Sequence, residues 1–335
     1  MILIVDRRET VLRYAGGSIR LEQRGYASRR VPIRQLDQVI VYGNPLAETA
    51  VWRALAEAGV PVVMLTSRGQ DEVAMLGSGL ATQLPLRRMQ HGLAGDPTAC
   101  VAMACRFVVM KVRSMTLALH TLVQLHPVAQ QTIEAFTQLC DRTCDKLRDA
   151  RDINEAMGLE GALARGWFNV LADALPAELK FTGRNRRPPR DPVNALLSLG
   201  YTLLMSEVRH GIVASGFDPS LGFLHQDTPG RESLVLDFAE IFRSGVDSFV
   251  LRWLHETPVG RDSFYYRDDE GCRLSKAARP LFFDAWARYR EDWPRPFAAA
   301  NSEDSEWPTA RLREQVMGQV AAIREVMKAM RMGNV

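Results

Sequence analysis

CVAMACRFVVMKVRSMTLALHTLVQL, residues 100–125, divides the chain. The run is long enough for a multi-turn helix, and Pro127 marks a break after His126. From Pro97 onward the helical pattern continues through Ala129–Asp152, 153–175, 192–216, Phe249–Glu256, Pro280–Asp292 and Thr309–Met330. FYYRDDEGCRLS (264–275) reads as a small hairpin around Asp269–Gly271. On the other side, residues 1–85 hold short apolar runs between charged or Gly-containing turns: ILIV (2–5), VLRY (11–14), VPIR (31–34), QVIVY (38–42), VVMLT (62–66) and EVAML (72–76). Those are strand signals. One helix, Leu46 to Ala58, is embedded among them, opened by the Gly-Asn-Pro at 43–45 and closed by Gly59. The expected fold is α+β. A small N-terminal β-rich domain with one embedded helix (1–85) is followed by a linker (86–96) and a larger all-α C-terminal domain (97–335).

Hydrophobic content of 47% and charged content of 24% are ordinary globular values, which excludes a disordered or fibrous chain. The start, MILIVDRRET, places its apolar residues before its charges, unlike a secretory leader. The longest conspicuous uncharged run, Pro192–Ser206, is shorter than the ~20 residues a membrane crossing needs. A soluble cytoplasmic protein with no membrane partner is expected. An odd count of five cysteines argues for free thiols, and Cys140 and Cys144 lack the second Cys/His pair that a zinc site requires. Net charge of +3 does not establish a nucleic-acid partner. The distribution says more: Arg184, Arg186, Arg187 and Arg190 crowd one Pro-containing segment, and Arg106, Lys111 and Arg113 decorate the helix at 100–125. Such clusters track phosphates, or are simply solvated faces.

Chemistry concentrates in LGFLHQDTPGRESLVLDFAEIFR, residues 221–243. His225 stands in a Gly/Asp/Pro-rich turn, and the helical segment after it carries Asp237 and Glu240 three residues apart on one face. Imidazole and carboxylate oxygens suit Mn²⁺ or Mg²⁺, and a turn histidine beside a solvated acidic face fits the same pattern. Glu160 is odd in its helix, because it heads an apolar stripe of Leu163, Ala164, Trp167, Phe168 and Leu171. A carboxylate there is paired, protonated or bound to a cation, or else it faces the helix N-terminus near Asp152 or Asn154. Tyr201 and Trp167 read as core, and His210, His255, His120 and His126 as structural.

Taken with GLEGALARGWF around Glu160, RPPRDPVNALLSLGYTLLMSEV (187–208), GFDPSLGFLHQ (216–226) and SLVLDFAEIFR (233–243), the chain resembles the CRISPR-associated spacer-acquisition integrases, the first-numbered Cas protein (Cas-one). VYGNPLAETAVWRALAEAGVPVVMLTSRG and DSFYYRDDEGCRLSKAARPLFFDAWARY extend the likeness over essentially the whole chain. The resemblance implies a metal-dependent DNA integrase and endonuclease of CRISPR adaptation, joining prespacer 3′-OH ends into the CRISPR repeat by phosphodiester transesterification. It carries the family's ligands for Mg²⁺ or Mn²⁺ onto Glu160, His225 and Glu240, and a further catalytic acid beside the metal onto Asp237. It also implies a homodimer formed through the β-rich domain, prespacer and repeat DNA, and the Cas-two protein as partners. A reverse transcriptase module is a further partner it leaves open. Arg184, Arg186, Arg187 and Arg190 would then contact the DNA backbone. A general metal-dependent nuclease acting on branched or single-stranded DNA, and a non-catalytic DNA-binding scaffold, are the competing readings.

Overall fold

The computed structural model describes residues 1–7, 9–65, 74–76, 83–185, 188–226, 228–258, 260–268, 271–295 and 309–333. The N-terminal part holds β1 (Ile2–Val5), β2 (Val11–Tyr14), β3 (Ser18–Glu22), β4 (Arg29–Pro32), β5 (Gln38–Tyr42), β6 (Leu46–Ala47), α1 (Thr49–Glu57), β7 (Val62–Leu65) and β8 (Ala74–Leu76). One sheet runs β1-β5-β7-β8, parallel except for the last pair, and the other runs β4-β3-β2-β6. Strand alternation explains the apolar runs of β5 and β7. Val39, Val41 and Val62 face a core with Leu12, Ile19 and the α1 residues Val51 and Leu55, while Ile40 and Val63 pack into the helical domain's core. A sheet buried on both faces needs side chains that are apolar at every position. Strands β3 and β6, absent from the sequence reading, are half-exposed and short, and α1 begins three residues later than its pattern suggested because Leu46 and Ala47 pair with β2.

The segment 86–96, read as a connection, is itself folded. Helix α2 (Leu84–Gly95) buries Leu86, Met89, Gln90 and Leu93. The helical domain continues with α3 (Pro97–Leu125), α4 (Gln130–Arg148), α5 (Ile153–Ala174), α6 (Pro192–Ala214), α7 (Ser233–Glu256), the hairpin β9 (Phe264–Arg267) with β10 (Gly271–Leu274), α8 (Arg279–Tyr289), the short pair β11 (Trp293–Pro294) with β12 (Thr309–Ala310), and α9 (Leu312–Arg331). Three helices start on an aspartate whose side chain accepts from the N–H three residues on: Asp96 from Ala99, Asp152 from Glu155 and Asp191 from Asn194. Pro97 and Pro192 follow two of these caps at the first helical position, where no N–H is missed.

α7 is one continuous helix rather than two pieces around 244–248. The low-propensity residues there are held by packing: Gly245 lies against the Trp293 indole, and Asp247 bonds Trp167 and Tyr201. α6 lies close against α7, for a Cβ on Gly200 would fall 2.6 Å from Val246 Cγ1. α7 also packs along α3, and its other end carries an aromatic cluster in which Phe249 contacts Phe282, Trp286 and Tyr289. No disulfide joins the cysteines, and Cys140 is buried with its thiol pushed up to about 12 by desolvation. Among the described residues no single helix is long and apolar enough to cross a membrane.

Candidate active site

The loop before α7 is organised by one buried carboxylate. Asp237, with no exposed side-chain surface, accepts through Oδ2 from Phe223 N (2.6 Å) and Leu224 N (3.1 Å), and through Oδ1 from His225 N (2.9 Å). Its Oδ1 also lies 2.7 Å from His225 Nδ1. A carboxylate accepts, so Nδ1 carries a proton, and Nε2 is the nitrogen left to bind a metal in the neutral ring. Gly222 makes this wrap feasible, since a Cβ there would meet Asp237 Oδ2 at 2.9 Å and His225 O at 2.8 Å. The resemblance placed Asp237 beside the metal as a catalytic acid. In the structure its oxygens bond residues 223–225 and hold the His225 imidazole through Nδ1, an arrangement like the carboxylate–histidine pairs that orient metal-binding imidazoles elsewhere.

Glu160 from α5 and Glu240 from α7 meet at Lys111 of α3. The ammonium bonds Glu160 Oε1 in a short contact and Glu240 Oε2 at 2.6 Å, while Arg243 Nη1 holds Glu240 Oε1 at 3.0 Å. Lys111 and Glu240 are 7% and 3% exposed, Glu160 21%. Burial pushes the Glu240 carboxyl up, but Arg243 and then Lys111 pull it further down, so it stays ionised. Burial likewise opposes the Lys111 charge, and Glu240 and Glu160 more than restore it. Lys111, read from sequence as decorating its helix either to track phosphates or as part of a solvated face, is buried instead. It stands at the helical period of Phe107, Val108, Val112 and Met115, an ion on a core stripe like Glu160, and that anomaly was its sequence signal.

Glu160, His225 and Glu240 line one cleft of about 1100 Å³, together with Tyr42 and Leu65 from the β-rich part and Arg209, Arg231 and Arg243. The three residues predicted as ligands are thus brought to one cavity, although among the described residues no three His, Cys, Asp or Glu side chains close to ligand distance. Lys111 stands between the two glutamates. A positive charge already gripped by two carboxylates, one buried and one half-buried, in the cleft that His225 also lines marks a seat that fits a hard divalent cation.

Behind the glutamates, Asp247 accepts from Trp167 Nε1 (2.9 Å) and from the Tyr201 hydroxyl, and burial pushes its carboxyl up to about 6. Arg184 and Arg243 lie over the Tyr201 ring, 5.5 and 5.2 Å from its centroid. Arg184 is no loose phosphate contact. Its Nη1 donates to Asn194 Oδ1 (2.7 Å) and Asn185 O (2.6 Å), and its Nη2 to Ser198 Oγ (3.0 Å), pinning the basic loop to α6. Arg190 is exposed; Arg186 and Arg187 lie outside the described residues.

Residues 3–288 match the family model described as CRISPR associated protein Cas1. The chain belongs to the Cas1 family. It is 34% identical over 291 residues to CRISPR-associated endonuclease Cas1 3 of Thermus thermophilus, covering 85% of this chain and 83% of the relative. To CRISPR-associated endonuclease Cas1 1 of Thermodesulfovibrio yellowstonii it is 30% identical, covering 86% and 90%. Among solved structures, the Cas1 protein from Thermotoga maritima superposes with a TM-score of 0.79 at 19% identity, covering 98% of this chain and 97% of that one. A casposase bound to integration product gives 0.80 at 20% identity, covering 98% and 90%. The structural likenesses show the Cas1 fold, and the curated relatives that share the family are named endonucleases.

Proposed function

We propose that this Cas1-family chain joins the 3′-OH ends of prespacer DNA into a CRISPR repeat by divalent-metal-dependent transesterification. The observation that supports this most is the convergence of Glu160, His225 and Glu240, from three separate elements, on one arginine-lined cleft. Glu160 Oε1 and Glu240 Oε2 would hold Mg²⁺ or Mn²⁺ with His225 Nε2, and the bound ion would supply charge neutralisation at the phosphate and activation of the attacking hydroxyl. Asp237 fixes the imidazole so that its lone pair is presented without rotational loss. Arg243 keeps Glu240 ionised and in place, and Arg231 puts positive charge along the cleft where an anionic backbone would run, beside Arg209, which is paired with Glu232 at 2.7 Å. In-line exchange of one phosphodiester for another conserves bond energy and needs no ATP.

Partners are proposed in the same way. Solved relatives include a Cas6-RT-Cas1–Cas2 complex and a Cas1–DNA complex. This chain would likewise work in the cytoplasm as a homodimer through its β-rich part, with Cas2, prespacer and repeat DNA, and with a reverse transcriptase module where one accompanies it. The test is a strand-transfer assay: a labelled 3′-OH oligonucleotide and a repeat plasmid, with and without Cas2, titrating Mg²⁺ and Mn²⁺. Joined product that needs a divalent ion and disappears in Glu160→Ala and His225→Ala is the expected result. Equal joining by those variants would overturn the ligand assignment. Cleavage without joining at any metal or partner concentration would favour the general nuclease, in which water attacks instead of a DNA hydroxyl.

A further inference from the structure

Lys111 is the charged residue on the buried face of α3, and its surroundings state what it is balanced against. Glu160 and Glu240 contribute two negative charges; Lys111 and Arg243 contribute two positive ones, so the cluster is neutral as it stands. An ammonium out of water is tolerated only because both carboxylates repay its desolvation. The same oxygens, Glu160 Oε1 and Glu240 Oε2, are those a divalent ion would take. With Lys111 still in place, such an ion would leave the buried cluster two charges in excess and would have to share oxygens already bonded to Nζ. The two cations would compete for the same two carboxylates. Lys111 carries its charge on a flexible four-carbon stem, and the cleft beside it gives the stem somewhere to go.

We propose that Lys111 is an intramolecular counter-cation: it holds the Glu160–Glu240 pair together in metal-free protein, is exchanged for the divalent ion, and turns its freed ammonium into the cleft, where it meets a DNA phosphate. This rests on the ligand assignment above and adds a coupling to it. A phosphate that captures Lys111 makes the glutamates available, so metal and DNA each tighten the other's binding. Lys111 is a positioning residue in this scheme, acting through the ligands.

The experiment is calorimetric titration of Mn²⁺ alone into the full chain, comparing the parent with Lys111→Met, Lys111→Arg, Glu160→Gln and Glu240→Gln. Lys111→Met, which keeps the stem and removes the competing charge, is expected to bind Mn²⁺ about tenfold more tightly or better, and Lys111→Arg to stay near the parent. A Kd for Lys111→Met equal to or weaker than the parent's would overturn the exchange. Because Lys111→Met could fail to fold, a second measurement uses the parent itself: acylation of Lys111, followed by mass spectrometry, should accelerate several-fold when Mn²⁺ is added. No acceleration at saturating Mn²⁺ overturns the proposal as well. The two layers separate cleanly. If Glu160→Gln and Glu240→Gln bind Mn²⁺ as the parent does, the ligand assignment is wrong; if they lose it while Lys111→Met is unchanged, only the exchange is.

Discussion

Replacing Asp237 by Asn leaves size and shape nearly untouched and removes a charge that four donors share. The carboxylate accepts from three backbone N–H groups at 2.6–3.1 Å and from His225 Nδ1 at 2.7 Å, with no solvent to substitute for it. An amide offers one oxygen, and its NH₂ must then face either a backbone N–H or the imidazole proton. Losing about two charge-assisted bonds of roughly 1.5–3 kcal/mol each puts the destabilisation at about 3–6 kcal/mol. For a helical domain of this size that corresponds to a Tm lower by roughly 6–24 °C. The imidazole, no longer held in one tautomer, should weaken Mn²⁺ binding and strand transfer by about 10–100-fold. Thermal denaturation followed by circular dichroism, with Mn²⁺ calorimetry at a temperature where the variant is folded, measures both. An Asp237→Asn protein with the parent's Tm and the parent's Mn²⁺ affinity would refute the positioning role and return Asp237 to the ion.

Other outcomes follow from single contacts. His210 accepts from Arg313 Nη2 at 3.1 Å, and burial, then Arg313, lowers its pKa from 6.5 to about 4. The unfolded chain therefore takes up the proton first as pH falls, so this contribution is complete above pH 6.5 and about 3 kcal/mol of it is lost on the way down to pH 4; denaturant titrations across that range should show a slope that His210→Gln removes. Gly245→Ala drives a Cβ to 2.2 Å from Trp293 Cζ2 within the ring cluster of Trp286 and Tyr289, which should cost about 1–3 kcal/mol and shift the tryptophan emission. Arg190→Ala should lower the salt slope of DNA binding by about one unit without changing Tm, whereas Arg184→Ala should lower Tm because its guanidinium ties the loop to α6; equal Tm values for the two would contradict that difference.

The α+β layout was legible because short apolar runs between charged or Gly-containing turns and long helical stripes rarely imitate one another over such lengths. Strands β3 and β6 were not legible, since SIRLE mixes charge into a half-exposed strand and β6 is two residues held by its pairing with β2. Glu160 was found as an acid on an apolar stripe. Lys111 shows the same anomaly in the same physical terms and was missed because neighbouring Arg106 and Arg113 made the helix look uniformly basic. The contacts of Asp237 were beyond any sequence pattern: apart from His225 Nδ1, its partners are backbone N–H groups, which every residue but proline possesses. The same holds for Arg184, whose composition suggests a free cation and whose acceptors on α6 become neighbours only after folding.

Helix α2 has a practical consequence. Gln90 Nε2 donates to Asp218 O (2.9 Å) and Leu221 O (2.8 Å), its Oε1 accepts from Asp218 N (2.9 Å), and Arg87 Nε reaches Gly216 O (3.2 Å). Residues 84–95 are therefore a brace on the loop that delivers the imidazole, and belong mechanically to the half they precede. A chimaera that exchanges front ends between relatives must be spliced ahead of Gln83; a splice after Asp96 would import a foreign brace and misplace the histidine while every predicted ligand remained in the sequence.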